Sequence, residues 1–370
     1  MKNKILLLGG TGTLSTAVLE ESRRQGFDVT IMNRGTNNAC IPKDVTVVIC
    51  DFRNSNELLL KFKNKKYDVV VDFLSRNSKD IDRVYPIFRE KCMQYIFVSS
   101  ACVYRRFKED FPISEDSPKP NRDWSYNIEK YDTEERLKVL AKESRTNFTI
   151  VRPYITYNDK RIPFGITPSY ALHRTILERF KAGKPWFTWD EGKVITTVTH
   201  TIDFSAMMVG LFLNPKAFNQ DYHITGDYSC SQIELIKRFC VLLGVDPKIA
   251  KIPTSQIGLV LPEYRDMLKG DRALDAIFNN KKIKEVNPNK NFCIDIDRGL
   301  GRVIAYWQKD KSCNYDYKFD ARIDRLLSKY YKVGFIHYPG AKKTDRIVYY
   351  MFRYMPYRYA NKIVNLLKLV

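Results

Sequence analysis

The stretch Lys4-Ile5-Leu6-Leu7-Leu8-Gly9-Gly10-Thr11-Gly12-Thr13-Leu14-Ser15 decides how the rest of the chain is interpreted. A short apolar run leads into a glycine cluster, and the helical pattern Ala17-Val18-Leu19 follows. This order predicts a buried parallel strand, a tight turn and a helix whose first turn points at an anion. Gly9 permits the turn, Gly12 lets the backbone approach a pyrophosphate, and Ser15 is small enough for close helix packing. The stretch therefore predicts a dinucleotide site, although a glycine-rich turn without a ligand is the alternative.

Length and composition limit the kind of protein that this sequence encodes. With 370 residues, the chain can form two domains, or one large domain with an appendage. Its apolar content of 44% is typical of a soluble globular protein, and no apolar run approaches the ~20 residues that span a bilayer. The apolar run 5–8 is too short for a signal peptide, so we expect a cytoplasmic protein.

The charge and the cysteines are less specific. A formal net charge of +20 favours encounters with nucleotides, nucleic acid or an acidic membrane face, but it does not select among them. A lysine-rich composition also follows from an A/T-rich genome. The eight cysteines form no CxxC pair and no His/Cys metal spacing, which indicates reduced thiols and no metal site.

Apolar strands alternate with helical segments after the first strand and helix. The pattern predicts helices at 55–62 and 81–91, and strands at 27–32, 45–50, 67–73 and 95–100. Alternation at this spacing predicts an α/β fold with a doubly wound parallel sheet and right-handed crossovers. Ligands bind such sheets at the carboxyl ends of the strands.

Residues that could bind the adenosine half of a dinucleotide follow the second and third strands. Asn33 and Arg34 end the second strand, close to the ~20-residue distance at which a ribose-binding residue is expected. Asp51 and Phe52 directly follow the third strand, where an acidic group can reach the amino group of an adenine.

A second group of polar residues follows the fifth strand. Ser100 ends that strand, and Tyr126 and Lys130 lie four residues apart in a predicted helix, so they share one helix face. A phenol with a pKa of ~10 is a poor base near neutrality, but a nearby ammonium favours the phenolate, and a serine hydroxyl can bind the same substrate oxygen. Taken alone, the Tyr-x-x-x-Lys spacing also fits an ordinary amphipathic helix.

Together these residues resemble the extended short-chain dehydrogenase/reductase family, in its NAD-dependent epimerase/dehydratase branch. Gly9-x-x-Gly12, Ser100 and Tyr126-x-x-x-Lys130 match the family's motifs in order and spacing. The resemblance covers roughly residues 1–310 and continues through Val151-Arg152-Pro153, Val198–Phe204, Tyr222–Gly226 and the helix that begins at Gln232.

The resemblance implies a Rossmann domain, mainly 1–165 with 194–225 returning to it, and a smaller α/β substrate domain formed by 166–193 and 226–310. A basic aromatic extension, 311–370, follows. It also implies a homodimer and an NAD or NADP cofactor contacted by Gly9, Thr11, Gly12, Thr13, Leu14, Asn33, Arg34, Asp51, Phe52, Leu74, Ser99, Lys130 and Pro153.

By the same resemblance, the reaction is hydride transfer. Tyr126 takes a proton from a substrate hydroxyl as hydride leaves the same carbon, Lys130 holds the nicotinamide ribose and tunes Tyr126, and Ser100 orients the oxygen. A transient ketone then receives hydride on its other face, which gives epimerisation, or it is released or reduced.

Departures from the family pattern narrow the reaction. Dehydratases carry an Asp-Glu pair after the serine, and Ala101 and Cys102 at those positions make dehydration unlikely, whereas the Ser-Ser-Ala-x-Val-Tyr string resembles the 4-epimerases. Arg34 replaces the aspartate that selects NAD and can pair with a 2′-phosphate, which favours NADP, although stacking on the adenine is an alternative.

Other departures affect the substrate. Ile155 stands where many relatives have an asparagine, and Thr196 stands where many have an arginine that clamps a diphosphate. Both departures put a standard UDP- or dTDP-sugar pose in doubt, and basic residues that could replace the clamp are Arg174, Arg265 and Arg272. The favoured function is 4-epimerisation of a nucleotide-linked sugar. The alternatives are an NADPH-dependent keto-sugar reductase and a non-catalytic nucleic-acid-binding relative, which Ser100, Tyr126 and Lys130 disfavour.

The segment 341–370 interleaves tyrosines with arginine and lysine. It could make a weak contact with an anionic membrane surface or bind a partner, or it could pack its aromatic side onto the body or a second subunit, which we prefer.

Overall fold

The computed structural model describes residues 2–36, 41–166, 170–310, 312 and 314–369. Its contacts divide the chain into two compact units. The first comprises Met1–Thr156, Thr197–Ser229 and Ala276–Ile294, and the second comprises Tyr157–Thr196, Cys230–Asp275 and Asp295–Val370. The basic aromatic extension therefore belongs to the second unit.

The strands, in chain order, are β1 (Lys4–Leu8), β2 (Asp28–Asn33), β3 (Thr46–Ile49), β4 (Val69–Asp72), β5 (Gln94–Val98), β6 (Asn147–Pro153), β7 (Thr156–Tyr157), β8 (Trp186–Trp189), β9 (Ile195–Thr197), β10 (Thr199–His200), β11 (Gln220–Ile224), β12 (Ser229–Ser231) and β13 (Ile249–Ile252).

The α-helices are α1 (Thr13–Arg24), α2 (Ser55–Phe62), α3 (Ser78–Phe88), α4 (Ser125–Ala141), α5 (Tyr170–Lys181), α6 (Thr201–Val209), α7 (Gln232–Leu243), α8 (Thr254–Val260), α9 (Arg265–Met267), α10 (Lys281–Val286), α11 (Ile296–Lys309), α12 (Tyr317–Leu327), α13 (Lys343–Tyr354) and α14 (Tyr357–Leu366). None of these described helices is both long and apolar enough to cross a membrane.

A parallel sheet forms the centre of the first unit. Within the described residues it has seven strands in the order β11-β6-β5-β4-β1-β2-β3. Its residues are apolar on both faces, because α1 and α6 cover one face and α2, α3 and α4 cover the other. The predicted α/β class and doubly wound parallel sheet are confirmed.

Capping side chains fix where two helices begin, and one of these helices begins earlier than the sequence pattern predicted. The third helix begins at Ser78 because the Asn77 side chain accepts a hydrogen bond from the Asp80 N–H. Helix α12 begins at Tyr317, since the Asp316 carboxylate accepts a hydrogen bond from the Phe319 N–H.

The second unit combines the parallel pair β8 and β13 with helices. Trp186 and Trp189 of β8 are buried, so they are core residues of this unit. Cys40 and Cys313 lie outside the described residues, and the cysteines within them are free thiols.

Candidate active site

The glycine turn between β1 and α1 has the shape that an anion needs. Gly9 and Gly10 have φ values of +115° and +125°, which L side chains rarely adopt. A Cβ on Gly10 would lie 2.9 Å from Ile31, so this glycine, which sequence reasoning did not single out, is required for packing. At Gly12, by contrast, a Cβ would meet nothing closer than the Ser15 hydroxyl at 3.4 Å. The approach to Gly12 is therefore open to a ligand.

The first turn of α1 completes this cradle. It carries no acidic side chain, so the partial positive charge of the helix N-terminus is not neutralised there. The Ser15 hydroxyl accepts a hydrogen bond from the Gly12 N–H at 3.0 Å and fixes the turn. Thr11 is exposed and Thr13 is partly buried, whereas Leu14 packs against the core of the sheet.

The residues predicted to bind adenosine lie at the ends of β2 and β3. The Asn33 side chain accepts from the Gly35 N–H at 2.8 Å, and Arg34 is exposed. Asp51 is exposed and accepts from the Arg53 N–H at 3.0 Å. The Phe52 ring is part of the core, so only its backbone is available to a ligand.

A buried carboxylate shapes the loop after β4. Asp72 accepts hydrogen bonds from the N–H groups of Leu74 and Ser75, at 2.8 and 2.9 Å, and from the Tyr95 hydroxyl at 2.8 Å. These bonds fix Leu74 beside the glycine turn, since a Cβ on Gly9 would lie 3.6 Å from its side chain. Sequence reasoning missed Asp72, although an acid ending an apolar strand was a usable signal.

Lys130 is buried in α4 between the ends of β4 and β5. Its ammonium donates to the carbonyl oxygens of Ser75, at 2.8 Å, and Val98, at 3.2 Å. Burial lowers the pKa of Lys130 to about 8, and the Asp72 carboxylate partly opposes this shift. The amine can therefore change its charge close to neutral pH.

Tyr126 and Ser100 lie near the same strand end. Tyr126 is one turn before Lys130 on α4, is partly buried, and has its ring centroid 4.7 Å from that of Trp124. Ser100 is buried just after β5, and its hydroxyl accepts from the Cys102 N–H at 3.3 Å. Ala101 and Cys102 pack in the apolar cluster that Tyr126 also contacts.

Two buried hydroxyls at this edge lack a partner among the described residues. They belong to Ser75, whose carbonyl binds Lys130, and to Ser99, which was predicted to contact the cofactor. Pro153 ends β6 and is partly buried. The open approach to Gly12 and these unpaired hydroxyls fit a polar dinucleotide along the carboxyl ends of the strands.

A buried ion-pair network ties α4 to the sheet. Arg152 of β6 forms two hydrogen bonds with Glu134 of α4, at 2.9 and 2.7 Å, and an ion pair with Asp221 at 2.5 Å. It also donates to the Tyr104 hydroxyl at 2.7 Å. The carboxylates and Tyr104 hold the pKa of Arg152 above its usual value despite its burial. Because α4 carries Tyr126 and Lys130, this network positions both, and sequence reasoning did not foresee it.

The structure shows the backbone conformation of Ile155 and the contacts of the three arginines that could replace the diphosphate clamp. Ile155 has a φ of +30°, a left-handed conformation that a β-branched residue rarely adopts and an asparagine tolerates. Each candidate clamp residue already donates to a backbone carbonyl of the second unit: Arg174 to Asp310 at 3.1 Å, Arg265 to Gly258 at 3.0 Å, and Arg272 to Gly165 at 3.1 Å. A role for these arginines in substrate binding stays a prediction.

Known proteins are related to this chain in sequence and in fold. Residues 5–225, more than half of the chain, match the model of the NAD dependent epimerase/dehydratase family. A curated relative, the chloroplast stem-loop binding protein of 41 kDa b from Arabidopsis thaliana, is 28% identical over 239 residues. That match covers 61% of this chain and 59% of the relative, so the chain spans less than two thirds of that protein's length.

Solved structures share the fold. An epimerase from Methanothermobacter thermautotrophicus matches with a TM-score of 0.67 and 14% identity, over 83% of this chain and 93% of that one. UDP-glucose 4-epimerase from Thermotoga maritima, solved with UDP-glucose, matches with a TM-score of 0.64 and 17% identity, over 83% of this chain and 99% of that one. The Thermus thermophilus UDP-glucose 4-epimerase with NAD matches with a TM-score of 0.66 and 14% identity, again over 83% of this chain and 99% of that one. With its family match spanning the glycine turn, Ser100, Tyr126 and Lys130, this chain is a member of the NAD dependent epimerase/dehydratase family.

Proposed function

We propose that this protein is an NAD(P)-dependent oxidoreductase that epimerises a nucleotide-linked sugar at C4. The observation that carries the proposal is the buried Lys130 amine, one helical turn from Tyr126 at the carboxyl edge of the sheet. When bound, the dinucleotide would supply the hydride acceptor and donor, with Gly9, Gly12 and the first turn of α1 holding its phosphates.

The side chains divide the remaining chemistry among themselves. Tyr126 accepts the proton of the substrate hydroxyl, and a protonated Lys130 favours its phenolate form. Ser100 donates a hydrogen bond to the same oxygen. Ala101 and Cys102 offer no acid and base pair for expelling water, so the proposed reaction stops at oxidation and re-reduction of one carbon.

The names of structural relatives support a sugar nucleotide as the substrate class. The Thermotoga maritima protein is a UDP-glucose 4-epimerase that holds UDP-glucose, and a Bacillus cereus neighbour is a UDP-glucuronic acid 4-epimerase that holds UDP-glucuronic acid and NAD. The changes at Ile155 and Thr196 indicate that the nucleotide part is held here by other residues.

Replacing Tyr126 tests the proposal. Tyr126→Phe should lower kcat for isomer interconversion by about 10²–10⁴-fold, since it removes the acid–base group and leaves the ring. The dinucleotide dissociation constant should stay within twofold. Tyr131→Phe is the matched control, because Tyr131 lies on the same helix as Tyr126. This variant should keep the turnover of the parent protein. Undiminished turnover in Tyr126→Phe would remove this residue from the mechanism.

The keto-sugar reductase is the competing enzyme activity. It differs from the epimerase in its use of the cofactor, because a reductase consumes NADPH and an epimerase returns the hydride to the same sugar. Incubation with NADPH and candidate 4-keto sugars separates the two: a stoichiometric loss of absorbance at 340 nm indicates the reductase. Interconversion of isomers without that loss indicates the epimerase.

Arg34 bears on the choice between NAD and NADP. Its exposed side chain follows β2, where it is available to a 2′-phosphate. Arg34→Gln should weaken NADP binding at least tenfold and change NAD binding by less than threefold. Equal losses for both cofactors would favour stacking on the adenine over recognition of the phosphate.

A second candidate function is nucleic-acid binding without catalysis. It is favoured by the name of the Arabidopsis relative, a stem-loop binding protein, and by the net charge of +20. Tight, salt-sensitive binding of an RNA stem-loop that survives Tyr126→Phe, without turnover of any sugar, would establish it. Turnover that depends on Tyr126 would favour the enzyme.

A further inference from the structure

The outward side of the last two helices forms a basic and aromatic surface. We call the exposed side chains between 346 and 368 the tail face. The inward sides of the same helices are fixed to the second unit, where Tyr349, Phe352, Ala360 and Val364 are buried. The Tyr349 hydroxyl also donates to the buried Asp324 carboxylate at 2.6 Å. The tail face is therefore the outer surface of an anchored pair of helices.

The tail face exposes side chains that are costly to leave in water. Tyr354 is 71% exposed, Leu366 is 72% exposed and Leu367 is 61% exposed. Ile347 and Tyr359 are more than half exposed as well. Single exposed apolar residues are common, but an apolar group repeated along two consecutive helices indicates an interaction surface.

The charge of the tail face has one sign. From Arg346 to Val370 the sequence contains no Asp or Glu, and its basic residues are Arg346, Arg353, Arg358, Lys362 and Lys368. Arg353 is buried, and the other four are exposed. None of these four forms an ion pair with a carboxylate in the described part of the chain. A partner for this surface is therefore negatively charged.

We propose that the tail face docks on an anionic lipid bilayer. At 1.5 Å per residue, α13 and α14 are about 18 and 15 Å long, and the hydrocarbon core is about 30 Å thick, so they would lie along the surface. Lysine and arginine would meet the lipid phosphates, tyrosine rings suit the headgroup level, and Leu366 and Leu367 would reach the acyl boundary. A nucleic acid would satisfy the charges but would leave both leucines in water, which favours the membrane.

Co-sedimentation of the full chain with lipid vesicles tests this proposal. The probes are vesicles of phosphatidylcholine alone and vesicles containing 30% phosphatidylglycerol, about 0.1 M salt being present in both. We expect binding to the anionic vesicles only, and its loss in 0.5 M salt. Arg358→Glu/Lys362→Glu and Leu366→Ser/Leu367→Ser should each lower the partition coefficient at least tenfold.

A charge-matched control separates the tail face from net charge. Lys216→Glu/Lys329→Glu changes two exposed lysines elsewhere by the same amount and should keep at least half of the binding. Equal losses in this control, or no binding of the parent chain to anionic vesicles, would overturn the proposal. So would an RNA hairpin that binds the tail face while vesicles do not, or a dimer in solution that Leu366→Ser/Leu367→Ser dissociates. Circular dichroism of each variant verifies that the fold is retained.

Discussion

Two buried lysines, one in each unit, are surrounded in opposite ways. Lys130 and Lys184 are 5% and 6% exposed. Among the described residues, Lys130 donates to two backbone carbonyls, those of Ser75 and Val98, and the Asp72 carboxylate acts on it without a hydrogen bond. Lys184 instead donates directly to two carboxylates, Asp320 at 2.6 Å and Asp324 at 2.7 Å.

Because of these surroundings, Lys130 can titrate near neutral pH, whereas Lys184 holds parts of the second unit together. Arg179 binds the same two carboxylates, both of which lie on α12. The two cations therefore balance the two anions. Burial would raise the pKa of Asp324, but Arg179 and Lys184 hold it below its usual value, which keeps this carboxylate ionised. Burial lowers the pKa of Lys130 to about 8, and no carboxylate in the described part of the chain forms an ion pair with its ammonium. The cluster of Lys184, Arg179, Asp320 and Asp324 suits a fixed cross-link within the second unit. The surroundings of Lys130 suit chemistry near neutral pH.

Breaking the cross-link should have the largest effect. Lys184→Met leaves two buried carboxylates with one cation, and we expect the free energy of unfolding of the second unit to fall by about 3–5 kcal/mol. Urea unfolding followed by tryptophan fluorescence measures this, since Trp186, Trp189 and Trp307 lie in that unit. A loss below 1 kcal/mol would show that the network contributes little and would remove the contrast with Lys130.

Lys130→Met should instead change the pH dependence of stability. The pKa of Lys130 falls from 10.5 to about 8 on folding, so between these values the unfolded chain binds a proton that the folded chain does not. Stability therefore rises with pH across this window, by up to about 3 kcal/mol, and the methionine variant should lack that rise. The measurement is the difference in unfolding free energy between parent and variant from pH 7 to 10.5. A constant difference would contradict the assignment.

Sequence patterns could predict what depends on neighbours along the chain. The β1-turn-α1 unit, the parallel sheet, and the placement of Tyr126 and Lys130 on one helix follow from local periodicity and spacing. The roles of these residues and of Ser100 stay predictions.

Contacts between distant parts of the chain could not be predicted in this way. The Arg152–Glu134 pair, the Ile31 contact that makes Gly10 necessary, and the carbonyl partners of Lys130 join residues 18 to 55 positions apart. The same holds for the cross-link, because Arg179 and Lys184 lie about 140 positions before Asp320 and Asp324 and the sequence pattern does not distinguish these four from ordinary surface charges.

Disturbing the packing of the glycine turn should lower the free energy of unfolding of the first unit by a smaller amount. Gly10→Ala places a Cβ 2.9 Å from Ile31 at a φ of +125°, so we expect a loss of about 2 kcal/mol in the free energy of unfolding. Thermal unfolding of the variant measures it. Gly26→Ala, which has a φ of +86° and an open environment, separates the backbone cost from the contact. Equal losses in the two variants would show that the Ile31 contact costs nothing.

The smallest effect is expected at an exposed pair. Lys251 and Glu191 lie 2.7 Å apart in the second unit, and their side chains are 49% and 67% exposed. Lys251→Met should change the free energy of unfolding by less than about 1 kcal/mol, because solvent screens the pair. A change as large as that of Lys184→Met would show that burial is not what distinguishes the cross-link.

Dinucleotide binding by Gly12→Ala, measured by isothermal titration calorimetry, tests whether the glycine turn holds a cofactor. A Cβ at this position meets no backbone and only the Ser15 hydroxyl at 3.4 Å, so the variant should fold with an unchanged Tm. It should bind NAD or NADP at least tenfold more weakly than the parent, because the methyl group occupies the approach to the turn. Equal affinity in the two proteins would contradict the claim that a dinucleotide lies across this turn.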